Sequence, residues 1–114
     1  MHELSLALNI LDLVAEEAER RGGVRVLRIY LKLGPLAGVV KEALLSAYEI
    51  GREGSSLAGA ELVIEEVAVM AYCPTCGTAR AVVSVQQLCC IECGTPAQQL
   101  VSGRELEVVA LEIQ

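Results

Sequence analysis

Two cysteine pairs, Cys73 with Cys76 and Cys90 with Cys93, restrict what this chain can fold into more than any other feature. Two residues inside each pair let both sulfurs reach one ion at about 2.3 Å. The glycine after each pair, Gly77 or Gly94, permits the tight turn that aims backbone amides at thiolates. Four thiolates complete a tetrahedral zinc ion and leave no vacancy for substrate water, so zinc here staples the fold and performs no hydrolysis. A thiol redox pair is the competing use of one such motif, but it normally opens a helix after a strand, and two tandem copies are unusual for it. Iron in a rubredoxin-like centre is the remaining metal alternative. Cys89 directly precedes Cys90; only Cys90 preserves the two-residue spacing, so Cys89 is expected as a spare thiol packed beneath the knuckle.

The rest of the chain supplies the frame for this segment. Leu4, Leu8, Leu11, Ala15 and Ala18 recur at helical spacing ahead of Gly22-Gly23, predicting a helix over about 4–21. Residues 24–33 alternate, with Leu27, Ile29, Leu31 and Leu33 on one side and Arg28, Tyr30 and Lys32 on the other, which is a strand ended by Gly34-Pro35. Val40, Leu44, Ala47 and Tyr48 predict a second helix over roughly 39–52. Leu62 to Ile64, continued through Val67 and Val69, reads as a strand, and Leu106 to Ile113 as another. Phe and Trp are absent, so Leu, Val, Ile and Ala must build the core. The expected fold is α+β, a small mixed three-stranded sheet with two helices and an inserted zinc-ribbon-like lobe. The expected domains are residues 1–69 with 97–114 as one α/β body and residues 70–96 as the zinc-binding insert.

Charge and motif content narrow the function. Nine basic against fifteen acidic residues give a formal charge of −6, and Arg80 is the only basic residue in 70–96, which opposes nucleic-acid binding. Glu3 stands where a signal peptide needs a basic region, and no apolar run reaches the roughly 18 residues of a membrane span, so a soluble cytoplasmic protein is expected. No nucleotide-binding or nucleophile-elbow motif is present, and the Glu16-Glu17-Glu19 and Glu65-Glu66 runs read as solvated faces; the chain is not expected to be an enzyme.

A single histidine, His2, excludes an internal Ser-His-Asp triad and a multi-histidine zinc centre. An imidazole beside the α-amine of Met1, with neighbouring backbone amides, can place up to four nitrogens in a plane, which suits Ni(II) or Cu(II) better than zinc. The competing reading is a histidine in a frayed terminus with no ligand role.

Taken together, these residues resemble the HypA/HybF family of hydrogenase nickel-incorporation proteins. Met1-His2-Glu3-Leu4-Ser5, the Gly34-Pro35-Leu36-Ala37-Gly38-Val39 turn, both CxxCG knuckles and Ser102-Gly103-Arg104-Glu105-Leu106 occur in that family's order, so the likeness spans essentially the whole chain. Ile91 stands where family members commonly have proline. The resemblance implies a nickel metallochaperone: Ni(II) as cargo on His2, with the Met1 amine and the backbone of His2 and Glu3 completing the plane, and structural Zn(II) on Cys73, Cys76, Cys90 and Cys93. It also implies two partners, a HypB-type GTPase and the large-subunit precursor of [NiFe] hydrogenase, for a monomer or weak homodimer. The alternative from a different class is a zinc-ribbon protein-interaction adaptor without nickel cargo, which leaves only Met1-His2-Glu3 unexplained.

Overall fold

The computed structural model describes residues 2–114; Met1, and with it the expected amine ligand, lies outside the described residues. The chain divides into two compact units, one built from the segments up to Leu31, Val39–Glu65 and Glu107–Gln114, the other from Lys32–Gly38 and Glu66–Leu106. The second unit therefore holds the cysteine segment 70–96 together with flanking residues on both sides and the turn after the first strand.

The first unit follows from three apolar periodicities. Helix α1 (Glu3–Arg20) buries Ala7, Ile10, Leu11 and Val14. The stripe through Leu4 and Leu8 is not the one chosen: these residues are 48% and 44% exposed, and Leu13 is 61% exposed. The helix is apolar on so many sides that period alone could not select the face; packing against α2 (Lys41–Arg52) does so. That second helix buries Leu44, Ala47 and Tyr48. Gly51 lets the two helices close up, because a Cβ there would lie 3.1 Å from Leu11 Cδ1 and 3.2 Å from Leu8 Cδ2.

Strand β1 (Val26–Leu33) buries Ile29, Leu31 and Leu33 as the alternation read from the sequence expects, but at its start Val26 is buried and Leu27 only half-buried. It is central in a three-stranded sheet, between β2 (Glu61–Glu66) and β6 (Leu106–Ile113). From its other row Arg28 and the Tyr30 hydroxyl both donate to the Glu112 carboxylate, a half-exposed pairing that fixes strand register more than it adds stability.

The Tyr48 phenol is fully buried and donates to the Ala60 carbonyl at 2.8 Å. Burial pushes its ionisation upward, against the opposing effect of the Arg52 guanidinium, which sits 5.7 Å from the ring. Arg52 also donates to Ala60 O at 2.7 Å, so losing the phenol leaves that acceptor satisfied. Tyr48→Phe is accordingly expected to cost only about 1 kcal/mol, read as a shift in the urea midpoint with an unchanged slope.

In the second unit the sequence reading needs one correction. The run through Val67 and Val69 does not extend β2, which stops at Glu66. Val67 N donates to Leu33 O at 2.9 Å, Ala68 O accepts from Ser102 Oγ at 2.8 Å, and a new strand, β3 (Met70–Cys73), begins in a different sheet. This sheet has β3 at its centre, flanked antiparallel by β4 (Thr78–Ala81) and β5 (Gln99–Ser102). The cysteine lobe thus carries its own three-stranded sheet, whose four-residue strands are too short to announce themselves by alternation.

Candidate metal centre

The first knuckle is the hairpin between β3 and β4. Cys73 ends β3, opposite Thr78, and Gly77 closes the turn at φ +71° with its N–H donating to Cys73 O at 2.8 Å. The second knuckle repeats this: Gly94, at φ +78°, donates to Cys90 O at 2.8 Å. Left-handed φ at the residue after each pair is why glycine stands there. The second knuckle is held against the first hairpin by a Val82–Cys90 bridge and by Ile91 N donating to Ala81 O at 3.0 Å.

These turns bring Cys73, Cys76, Cys90 and Cys93 together, all four Sγ atoms lying within 4.8 Å of one another. The separations are 3.5 Å for Cys73–Cys93, 3.8 Å for Cys76–Cys93 and 3.9 Å for Cys76–Cys90. Metal–sulfur bonds of about 2.3 Å at tetrahedral angles require sulfur–sulfur edges of about 3.8 Å. The donor set and its spacing therefore fit a four-coordinate zinc ion. Disulfide bonding, at about 2.05 Å, is excluded at these separations. Cys76 N donates to Cys73 Sγ at 3.4 Å, the amide-to-sulfur contact expected of a knuckle.

Cys89 is outside this cluster: it is half-buried and bridges Pro96 on the facing chain. Of the two neighbouring thiols, Cys90 alone joins the sulfur cluster.

Without metal, the thiols of Cys93 and Cys76 are pushed in opposite directions. The Thr95 hydroxyl, then the Thr95 amide, then Cys73 hold the Cys93 thiol down at about 6. The Arg80 guanidinium beside Cys76 favours its thiolate, but the hydrogen bonds with Cys73 and Cys93 outweigh it and push that thiol up to about 11. Thiolate ligation requires deprotonated sulfurs, so filling the site is linked to the release of thiol protons. Sequence reasoning missed Thr75, Thr95 and Arg80 as neighbours of the sulfurs; Thr75 inside the first pair and Thr95 after the second were visible, but nothing in the spacing said that their loops meet.

Two other motifs, far apart in the chain, also meet in this unit. Gly34 N donates to Glu105 O, and Leu36 N to Gly103 O, both at 2.8 Å. Gly103, at φ +120°, donates its N–H to Glu105 Oε1 at 2.7 Å. The Gly34-to-Val39 turn and the Ser102-to-Leu106 segment are thus two halves of one backbone clasp.

His2 is exposed and stands at the N-cap of α1 with extended backbone, φ −83° and ψ 113°; its carbonyl accepts from Leu6 N at 3.1 Å. Its side chain makes no capping hydrogen bond. Glu3 is the first residue of the helix and is half-buried. Among the described residues the structure gathers the four cysteines as a metal-ligand cluster and does not join His2 or Glu3 to it.

An α+β frame carrying four cysteines at tetrahedral spacing is compatible with a small protein that holds a structural zinc ion. Residues 1–113 match a family model described as hydrogenase/urease nickel incorporation, metallochaperone, hypA. Proteins described as hydrogenase maturation factor HypA are 46% identical over 112 residues in Chloroflexus aggregans, covering 98% of both chains, and 41% identical over 112 residues in Streptomyces avermitilis, covering 97% of this chain and 86% of that one. The solution structure of the Ni metallochaperone HypA from Helicobacter pylori shares the fold, with a TM-score of 0.67 at 24% identity over 99% of this chain and 97% of that one. The chain belongs to the HypA family of nickel-incorporation metallochaperones. A role in metal handling rather than catalysis follows from that membership, and no helix among the described residues is long and apolar enough to cross a membrane.

Proposed function

We propose that this protein binds Ni(II) at its N-terminus and delivers it to the large-subunit precursor of [NiFe] hydrogenase in the cytoplasm, working with a HypB-type GTPase, while zinc on Cys73, Cys76, Cys90 and Cys93 keeps its second unit folded. Family membership supports nickel as the cargo. The observation that carries the choice of site is the position of His2 at the very start of a helix. Amides at a helix N-terminus have no acceptor four residues back, so turning the His2 and Glu3 amides towards a metal breaks no helical hydrogen bond. The imidazole is exposed and engaged in no cap. Deprotonated amides are anionic, and negative charge is favoured at the positive end of the helix.

The four cysteines cannot be the cargo site on this reading. A closed tetrahedral thiolate set holds zinc tightly, whereas a carrier must surrender its ion on contact with a partner. A site made of the Met1 amine, the His2 imidazole and two amides is assembled from a short terminal segment and comes apart when that segment moves. Affinity near micromolar, about −8 kcal/mol, fits such a carrier. Cu(II) is expected to bind the same nitrogens at least as tightly, so selection of nickel rests on metal supply and on the partner complex.

The test is calorimetric titration of Ni(II) into tag-free protein beginning at Met1, alongside His2→Ala and a form with one added N-terminal residue. Both changes are expected to abolish the stoichiometric site while zinc content stays the same. Undiminished nickel binding in either one would remove the amine-imidazole plane from consideration.

A further inference from the structure

The two edges of the first unit's sheet are built differently. One edge, β2, carries Glu61, Glu65 and Glu66, three exposed carboxylates that discourage pairing with another strand. The other edge, β6, is eight residues long and has β1 on its inner side only. Its sequence, Leu106-Glu107-Val108-Val109-Ala110-Leu111-Glu112-Ile113, has no proline or lysine to blunt it. Val108, Val109 and Ile113 are 37%, 45% and 41% exposed, and Ala110 is exposed as well. Outward-facing backbone N–H and C=O groups beside such side chains are a template for one more strand.

We propose that β6 is a self-association surface, pairing antiparallel with β6 of a second copy about a two-fold axis through Ala110, so that two three-stranded sheets become one of six strands. The choice of a second copy follows from the charge at the two ends of the strand. A groove along β6 is lined by Arg21, Val108, Val109, Ala110, Leu111 and Ile113, which puts the C-cap residue of α1 over the strand's C-terminal half. The Arg21 side chain is 59% exposed and is paired only within its own helix, to Glu17. Glu107, near the start of the strand, is exposed and makes no hydrogen bond or ion pair among the described residues. Antiparallel pairing lays the start of one β6 beside the end of the other, which brings each copy's Glu107 to the other copy's Arg21.

The register follows from alternation. Glu112 shares the row of Arg28 and Tyr30, which hold its carboxylate, so Glu107, Val109, Leu111 and Ile113 lie on the opposite face, the one carrying Ile29 and Leu31. With Ala110 opposite itself, Glu107 faces Ile113, Val109 faces Leu111 and Val108 faces Glu112, and no carboxylate meets another. An axis between Val109 and Ala110 sets Glu107 against Glu112 and is disfavoured by like charge.

This interface lies at the far end of α1 from the proposed nickel site. His2 precedes the helix and Arg21 closes it, and the 18 helical residues between them span about 27 Å. Association therefore needs no nickel, and each copy keeps its own His2 outside the interface. A single strand pairing buries less than the about 1,200 Å² of a standard interface, so the dimer is weak, with a dissociation constant on the order of tens of micromolar.

Sedimentation equilibrium of the zinc-loaded full chain, from micromolar to millimolar concentration, tests the pairing; reducing buffer removes disulfide-linked dimers. The wild type is expected to show a reversible monomer–dimer equilibrium. Val109→Lys sets a charge against Leu111 near the axis and is expected to be monomeric throughout. Glu107→Arg and Arg21→Glu should each weaken association about ten-fold, because every dimer contains two of these pairs and each turns from attraction to repulsion. Combining the two reversals restores the wild-type constant.

A wild type that stays monomeric at millimolar concentration overturns the proposal, and so does a Val109→Lys variant that still dimerises. A double reversal no better than either single one removes the antiparallel two-fold pairing. If Val109→Lys does not fold, the reversals decide, since Glu107 and Arg21 are both exposed and lie outside the core.

Discussion

Stripping the metal from the four-cysteine site with a strong chelator is expected to unfold the second unit while α1 and α2 keep their helical signal. Roughly fifty residues belong to that unit, yet its buried apolar residues are few: Leu33, Val69 and Ala71, together with Cys73 and Cys90. Fully burying a large aliphatic side chain stabilises by about 1.5–3 kcal/mol, and ordering one residue's backbone costs about 1–2 kcal/mol. Side chains alone therefore fall far short, even with the hydrogen bonds of three four-residue strands. Structural zinc on peptide knuckles contributes about 10–16 kcal/mol, enough to reverse the balance.

Amide hydrogen exchange across a chelator titration checks this. Protection at Met70–Cys73, Thr78–Ala81 and Gln99–Ser102 should vanish together, with that at Ile10–Val14 and Leu44–Tyr48 retained. Cys90→Ser should reproduce the loss and Cys89→Ser should not, because only Cys90 belongs to the sulfur cluster. Protection of β3 that survives complete metal removal would show that packing suffices.

The same energetics explain which parts of this structure could be read from the sequence. Ligand spacing is a local rule: two residues between sulfurs and a glycine after the pair fix a knuckle without reference to the rest of the chain, so the four cysteines and the exclusion of Cys89 were legible. Strand β1 was legible too, because alternation from Leu27 to Leu33 admits one reading, although the adjacent Val26 and Leu27 left its first buried position undecided. Helix α1 was legible as a helix but not in its orientation. With Leu4, Leu8 and Leu13 as apolar as Ile10 and Val14, only the surface offered by α2 decides which face is buried.

The second sheet was not legible, for a different reason. Strands β3, β4 and β5 are each four residues long and owe their pairing to the knuckles they flank. The Thr75–Thr95 contact spans 20 residues and exists only because a common set of sulfurs draws both loops together. Long-range consequences of a metal cluster become visible once its geometry is known, not from the composition of either loop.

Gly34→Ala is expected to destabilise the protein by several kcal/mol, although the backbone at Gly34, φ −97° and ψ 152°, is open to any residue. The obstacle is space. A Cβ on Gly34 would lie 2.2 Å from Gly103 O and 2.3 Å from Gly103 C, less than any non-bonded pair tolerates, and both of those atoms are backbone. Relief requires opening the clasp, which loses the Gly34–Glu105 and Leu36–Gly103 hydrogen bonds and exposes the end of β1. Gly103→Ala meets a second penalty, a φ of +120° that L-residues avoid, together with Val69 Cα at 3.1 Å.

Gly22→Ala separates these causes. Its φ is also positive, at +86°, but nothing lies within 4 Å of the new methyl, so only the conformational cost of about 1 kcal/mol applies. Thermal unfolding of the zinc-loaded variants should rank Gly22→Ala near wild type, with Gly34→Ala and Gly103→Ala each lower by about 15 °C. Equal, small shifts for Gly22→Ala and Gly34→Ala would mean that the clasp relaxes freely. The turn after β1 and the segment before β6 would then be joined by hydrogen bonds that the fold does not need.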